Sequence, residues 1–346
     1  MAINKRMRTA LRLLSYPAAA DLEKVYKIER VLYNLKAPPI APLYHLWDHK
    51  IQSVDGAAIR VRLYRAPGKA GSSRLLLFFH GGGWVFESVD TYNQVCRRLA
   101  KATGCPIASV EYRRAPEHPF PVGLEDCYAA ARAVYQHPEQ FGVHPQDIVL
   151  IGDSAGGNLA AAVSLMARDR GEFTVGQQIL IYPATAADHS PDSPFDSVRE
   201  NGHGYLLTAR RVEEFMRLYA GEDAAAMQNP YFAPLLMRDL TRQPRTLVIT
   251  AEYDPLRDEG EAYAAALARA GAEVRLYRMP DALHGFFSLP AHFAPVQRAY
   301  AQIREFLGDD TACASDNRTS RTGTAWITRP KFSRRRFTGR TRRSSD

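Results

Sequence analysis

Three residues in the order Ser154, Asp254, His284 have the types and surroundings needed for nucleophilic acyl transfer. The serine lies in Gly152-Asp153-Ser154-Ala155-Gly156-Gly157, directly after the apolar run DIVLI at 147–151 and before the helix-forming NLAAAVSLMARD. A G-x-S-x-G segment at a strand-to-helix turn exposes the hydroxyl on a strained backbone, and the flanking glycines remove side chains that would collide. A serine needs a base to become a nucleophile, and the base needs a carboxylate to orient it. His284 in MPDALHGFF follows the last predicted strand, and Asp254 in AEYDPLRDEG follows the strand before it. Asp258 and Glu259 rival Asp254, but they fall where a helix begins and read as first-turn charges.

The second constellation is His80-Gly81-Gly82-Gly83-Trp84, placed after the run LLLFF. An ester carbonyl gains negative charge on attack, and backbone N–H groups aimed at that oxygen are usually the largest catalytic contribution. The candidate oxyanion-hole residues are Gly81, Gly82, Gly83 and Ala155, with Gly82, Gly83 and Ala155 the preferred donors and Gly81 shaping the loop. A phosphate-binding loop is the competing reading, yet no Lys-Ser/Thr pair follows. His80 is read as ordering the glycines and not as a base. Asp153 either tunes the nucleophile or caps the following helix. Glu111, Arg113 and Glu117 in EYRRAPEHPFP read as one structural network behind the site. His45 and His49 have i,i+4 spacing but no third ligand, so surface histidines are the preferred reading, and no metal is expected.

The elements that must hold these residues are legible as short apolar runs at 75–79, 106–110, 147–151, 179–182 and 246–250, separated by helical stretches. Runs apolar on both faces describe a buried, mostly parallel sheet. EVRLYRM at 273–279 adds a last strand, and a helix near 292–307 closes an α/β fold. Upstream, residues 49–65 predict an antiparallel hairpin around Asp55-Gly56. Apolar residues Leu22, Val25, Ile28, Val31, Leu32 and Leu35 recur every three or four positions, predicting an amphipathic helix. Between Ala184 and Pro234 the rhythm breaks in a Ser/Pro/Asp-rich stretch followed by a helix bearing Val212, Phe215, Met216 and Tyr219. An insertion there would overhang the sheet's C-terminal edge as a lid.

Composition narrows the alternatives. The 346-residue chain carries a formal charge of +8, but residues 311–346 hold ten Arg and Lys against Asp316 and Asp346. The body is therefore formally neutral, and no specific nucleic acid is expected as a partner. Past Gly308 the chain has too little apolar surface to offset ordering entropy and is read as a basic disordered tail, solvated or in contact with anionic surfaces. Cys96, Cys105, Cys127 and Cys313 are scattered and read as reduced thiols of a cytoplasmic protein. Arg12 interrupts the only stretch resembling a signal peptide.

Taken together, HGGGW, EYRRAPEHPFP, GDSAGGN, DPLRDEG and HGF resemble the hormone-sensitive lipase family of bacterial esterases, family IV, across residues 15–308. The resemblance implies an α/β-hydrolase fold with a mostly parallel central sheet, flanking helices and a helical cap. It divides the chain into N-terminal cap helices (1–48), a first core segment (49–184), a cap insertion (185–233), a second core segment (234–308) and the tail (309–346). It also implies cofactor-free hydrolysis of short- to medium-chain esters, with a small-molecule ester as partner; a homodimer is a separate expectation that the resemblance does not carry. Amides, lactones, acetylated sugars and a non-catalytic receptor role remain alternatives. Two departures stand out: Arg114, where the family usually has leucine, and the basic tail.

Overall fold

The computed structural model describes residues 22–36, 47–65, 74–308 and 325–327. Helix α1 (Leu22–Lys36) precedes the hairpin β1 (Trp47–Gln52) and β2 (Ala58–Tyr64). The alternating core follows as β3 (Leu75–Phe79), α2 (Asn93–Thr103), β4 (Ile107–Glu111), α3 (Val122–Gln136), β5 (Ile148–Asp153), α4 (Ala155–Arg170) and β6 (Gln177–Ile181). The insertion contributes α5 (Asp196–Asn201) and α6 (Ala209–Ala220). β7 (Arg245–Tyr253), α7 (Arg257–Arg269), β8 (Val274–Leu283) and α8 (Ala294–Gly308) complete the core.

The described strands form one sheet in the order β1-β2-β4-β3-β5-β6-β7-β8-β9, where β9 is Ala325–Ile327. Pairing is parallel from β4 to β8 and antiparallel at β1/β2, β2/β4 and β8/β9. Strand β9 corrects one expectation, because these three tail residues pair with Val274, Arg275 and Leu276 and so are not without structure. The rest of the tail, with Cys313, and His45 lie outside the described residues.

Alternation along the strands explains the layers. Leu75, Leu77 and Phe79 face one core with α3, α4 and α7, while Leu76 and Phe78 face the other with α2 and α8. Both faces of β3 and β5 are buried, as a parallel sheet covered by helices requires. Chain order reverses between β3 and β5, which opens a crevice at their carboxyl ends. The glycine loop leaves β3 at that point, and Ser154 leaves β5 beside it.

Helix α1 departs from its periodicity. Leu22 and Tyr26 are buried, but Ile28 and Leu35 are 64% and 76% exposed, and Val31 and Leu32 are exposed too. The helix is docked instead by charge. Arg30 donates to the Val85 and Ala115 carbonyls and pairs with Glu117 at 2.9 Å, while Glu29 pairs with Arg211 of α6 at 2.6 Å. No described helix is long and apolar enough to cross a membrane.

Candidate active site

Ser154 sits between β5 and α4 with φ 56° and ψ −121°, a region that non-glycine residues rarely occupy. Its backbone N–H donates to the Ile181 carbonyl of the neighbouring strand at 2.9 Å, which helps hold the strained turn. The glycines around it are sterically required. A Cβ at Gly152 would lie 2.1 Å from the Gly156 carbonyl oxygen, and one at Gly156 would lie 2.0 Å from that of Phe79.

His284 Nε2 lies 2.9 Å from Ser154 Oγ, and His284 Nδ1 lies 2.7 Å from Asp254 Oδ2. Asp254 is fully buried, and its second oxygen accepts the Leu256 N–H at 2.9 Å. Acid and base each stand one residue past their strand, β7 and β8. The register shift between Ala251 and Tyr253, which pairs Tyr253 with Leu283, brings the two loops side by side. The three residues named from the sequence thus form one hydrogen-bonded chain. Its inner carboxylate fixes the imidazole so that Nδ1–H points to Asp254 and Nε2 accepts from the serine.

Gly82 and Gly83 line the same cavity as Ser154, Ala155 and His284. Both adopt positive φ, 102° and 60°, and their N–H groups donate to no described backbone carbonyl. As the first residue of α4, Ala155 has no intrahelical acceptor for its own N–H. Gly81 differs from these three: its N–H donates to Asp153 Oδ1 at 3.0 Å and is committed to shaping the loop.

His80 braces the loop from below. It is fully buried, stacks on Tyr112 with ring centroids 4.3 Å apart, and its Nδ1 lies 2.9 Å from the Gly81 carbonyl. A carbonyl only accepts, so Nδ1 carries the proton. Burial pushes the His80 pKa down to about 4, which keeps the ring neutral. Beyond the glycines, Trp84 stacks on Tyr219 of α6 at 4.5 Å, and Arg114 donates to the Glu87 carbonyl. The residue that departs from the family pattern therefore holds the far end of the same loop.

Asp153 does not cap α4. Its carboxylate accepts from the Gly81 N–H and from the hydroxyls of Tyr92 and Tyr182, at 2.9 and 3.2 Å for the two tyrosines. Burial pushes its pKa up to about 6, although these donors and the nearby His284 favour the anion. Glu259 is likewise more than a first-turn charge. It is fully buried, accepts the Thr185 and Ala186 N–H groups at 2.6 and 3.2 Å, and meets His189 Nε2 at 2.5 Å. Burial opposes the charge on His189, yet Glu259 outweighs it and raises the His189 pKa. Asp258 accepts the Ser197 N–H at 2.7 Å. Both carboxylates tie the start of the insertion to the first turn of α7, which follows Asp254.

The single network expected of Glu111, Arg113 and Glu117 is three. Glu111 joins Arg60 and the Val89 N–H, Arg113 joins buried Asp126 and Asp55, and Glu117 joins Arg30. His49 lies on β1, and among the described residues no group of three His, Cys, Asp or Glu could hold a metal. Cys96, Cys105 and Cys127 are buried free thiols.

The cavity has a volume of about 360 Å³. Its roof comes from the insertion through Leu206, Leu207, Val212 and Phe215, and the buried Arg211 lines it too. The Phe215 ring lies 2.5 Å from where a Gly83 Cβ would be and meets Phe86 edge-on at 5.7 Å. Sequence reasoning missed Tyr92, Tyr182, Arg211 and the reach of Phe215, because their contacts join segments far apart in the chain.

Comparison with known proteins agrees with this fold. Residues 76–288 match the model of a family described as having the alpha/beta hydrolase fold. The chain is 39% identical over 244 residues to the carboxylic ester hydrolase LipN of Mycobacterium tuberculosis, covering 68% of this chain and 64% of LipN. It is 35% identical to an arylesterase of Saccharolobus solfataricus, covering 84% of this chain and 94% of that protein. The solved hyperthermophilic esterase of the archaeon Pyrobaculum calidifontis superposes with a TM-score of 0.78 at 37% identity, over 90% of this chain and 99% of that one. The chain belongs to the α/β-hydrolase fold family, among the carboxylesterases of the hormone-sensitive lipase-like family IV.

Proposed function

We propose that this protein is a serine carboxylesterase that hydrolyses short- to medium-chain acyl esters through an acyl-enzyme on Ser154. The observation that carries the reading is the continuous chain from Ser154 Oγ through His284 to buried Asp254, opening beside Gly82, Gly83 and Ala155. His284 accepts the Ser154 proton as Oγ attacks the ester carbonyl, and the Ser154–acyl bond forms as the carbonyl oxygen becomes an oxyanion. The N–H groups of Gly82, Gly83 and Ala155 stabilise that oxyanion without reorganising. Collapse expels the alcohol, which takes the proton back from His284. Water then attacks the acyl-enzyme by the same route and releases the acid.

The chain-length assignment rests on the cavity. A volume of about 360 Å³ is near the small end of ligand pockets, and its roof is apolar. The named relatives, a carboxylic ester hydrolase and an arylesterase, support ester turnover. A series of nitrophenyl esters from acetate to palmitate, with a serine-directed phosphonate control, tests the assignment. A maximum at short to medium chains, abolished by the phosphonate, is expected. A maximum at palmitate, or faster turnover of matched amides or lactones, would refute it.

A further inference from the structure

The chemistry above makes no use of Asp153, yet that residue is fully buried beside the nucleophile and gathers donors from three separate parts of the site. Gly81, which opens the glycine turn, donates its N–H to Oδ1 at 3.0 Å. Tyr92, just ahead of α2, donates its hydroxyl to Oδ2 at 2.9 Å. Tyr182, just past β6, donates to the same oxygen at 3.2 Å. The Tyr182 hydroxyl also accepts the Phe287 N–H at 3.3 Å, and its ring lies 4.7 Å from that of His284.

Asp153 is covalently bonded to Ser154. A bond from its carboxylate to Gly81 therefore ties the nucleophile's own backbone to the loop that presents the oxyanion donors. A bond to Tyr182 does the same for the surface on which the His284 ring rests. The contact with the loop leaves no slack: a Cβ at Gly81 would lie 2.9 Å from both the Asp153 carbonyl oxygen and Oδ2. A helix cap would look different, with the carboxylate turned to the N–H groups of α4.

Resting on the esterase reading, we propose that Asp153 is a positioning residue for catalysis, setting the distance between Ser154 Oγ and the Gly82–Gly83 N–H groups and bracing His284 through Tyr182. A carboxylate suits the task because two acceptor oxygens serve three donors at once. An asparagine has one acceptor oxygen and would turn an NH₂ against a donor.

The test compares Asp153→Asn, nearly isosteric, with the unmodified full chain on nitrophenyl butyrate. It also measures affinity for an arylboronic acid, which forms a tetrahedral anion on a nucleophilic serine. Expected is an about ten- to hundredfold loss of kcat with KM within about twofold, smaller than the cost of deleting an oxyanion donor outright. Boronate affinity should fall by the same factor as kcat/KM. A kcat within twofold of the unmodified enzyme, or a kcat loss with unchanged boronate affinity, would overturn the proposal. Should Asp153→Asn not fold, Tyr92→Phe and Tyr182→Phe, each removing one hydroxyl, are the second measurement. Each should lower kcat and boronate affinity together by at least about threefold, and unchanged values in both would overturn the proposal. An unmodified enzyme with no turnover of any ester would instead count against the esterase reading itself.

Discussion

His80 makes the stability of this protein depend on pH in a way that one substitution isolates. Its pKa falls from the ordinary 6.5 to about 4 because the ring is buried. The folded state therefore refuses a proton that the unfolded chain accepts. The stability this represents is fully present above pH 6.5 and is lost as pH falls from 6.5 toward 4. Between pH 7.5 and 5 the difference in proton binding amounts to about 2 kcal/mol of lost stability. Asp153 works in the opposite sense. Its folded pKa of about 6 exceeds the ordinary 3.8, so the folded state takes up a proton first and gains stability as pH falls through 6. The two effects partly cancel in the unmodified protein, and the total pH dependence hides both. In His80→Asn the amide can still donate to the Gly81 carbonyl, but the titrating ring is gone. Urea unfolding of both proteins at pH 7.5 and 5 should show the unmodified chain losing about 2 kcal/mol more than the variant. Identical pH dependence would refute a buried neutral imidazole beneath the glycine loop.

Three other expectations follow from the packing. Phe215→Ala opens the roof over Gly83 and should raise the ratio of kcat/KM for octanoate over acetate esters by about fivefold or more, a change of about 1 kcal/mol in a hydrophobic pocket. Gly156→Ala places a Cβ against the Phe79 carbonyl and should cost about 3 kcal/mol or more of stability, read as a lowered urea midpoint with loss of activity. Glu29→Gln removes the 2.6 Å ion pair of the nearly buried Arg211 guanidinium and should cost about 2 kcal/mol, with a raised KM for esters that reach Arg211.

The elbow, the glycine loop and the order of acid and base were legible because their signals are contiguous. Gly152 and Gly156 flank the serine, where no Cβ fits, and Gly82 and Gly83 take the positive φ that the loop needs. The buried strands were legible for a related reason, since residues on both faces must be apolar. What escaped was carried by long-range polar contacts that leave no period. Asp153 offered two roles from its position alone, and its three donors come from residues 81, 92 and 182. Glu259 looked like a first-turn charge until the fold set it against His189, seventy positions away. The amphipathic reading of α1 misjudged its docking, because Glu29 and Arg30 anchor a helix whose apolar residues are largely exposed. Ala325–Ile327 gave no strand signal within a basic tail, since three residues are too few for alternation to show.

The central claim is that Ser154 is the nucleophile of an ester hydrolase, and turnover of nitrophenyl butyrate by Ser154→Ala tests it most directly. The side chain lost is a single oxygen in a hydrogen-bonded chain, so the fold and the cavity should survive. Loss of the nucleophile leaves only binding and the glycine-loop donors, and kcat should fall by at least about 10⁴-fold with an unchanged urea midpoint. A folded Ser154→Ala enzyme that retains turnover within tenfold of the unmodified protein would contradict the account.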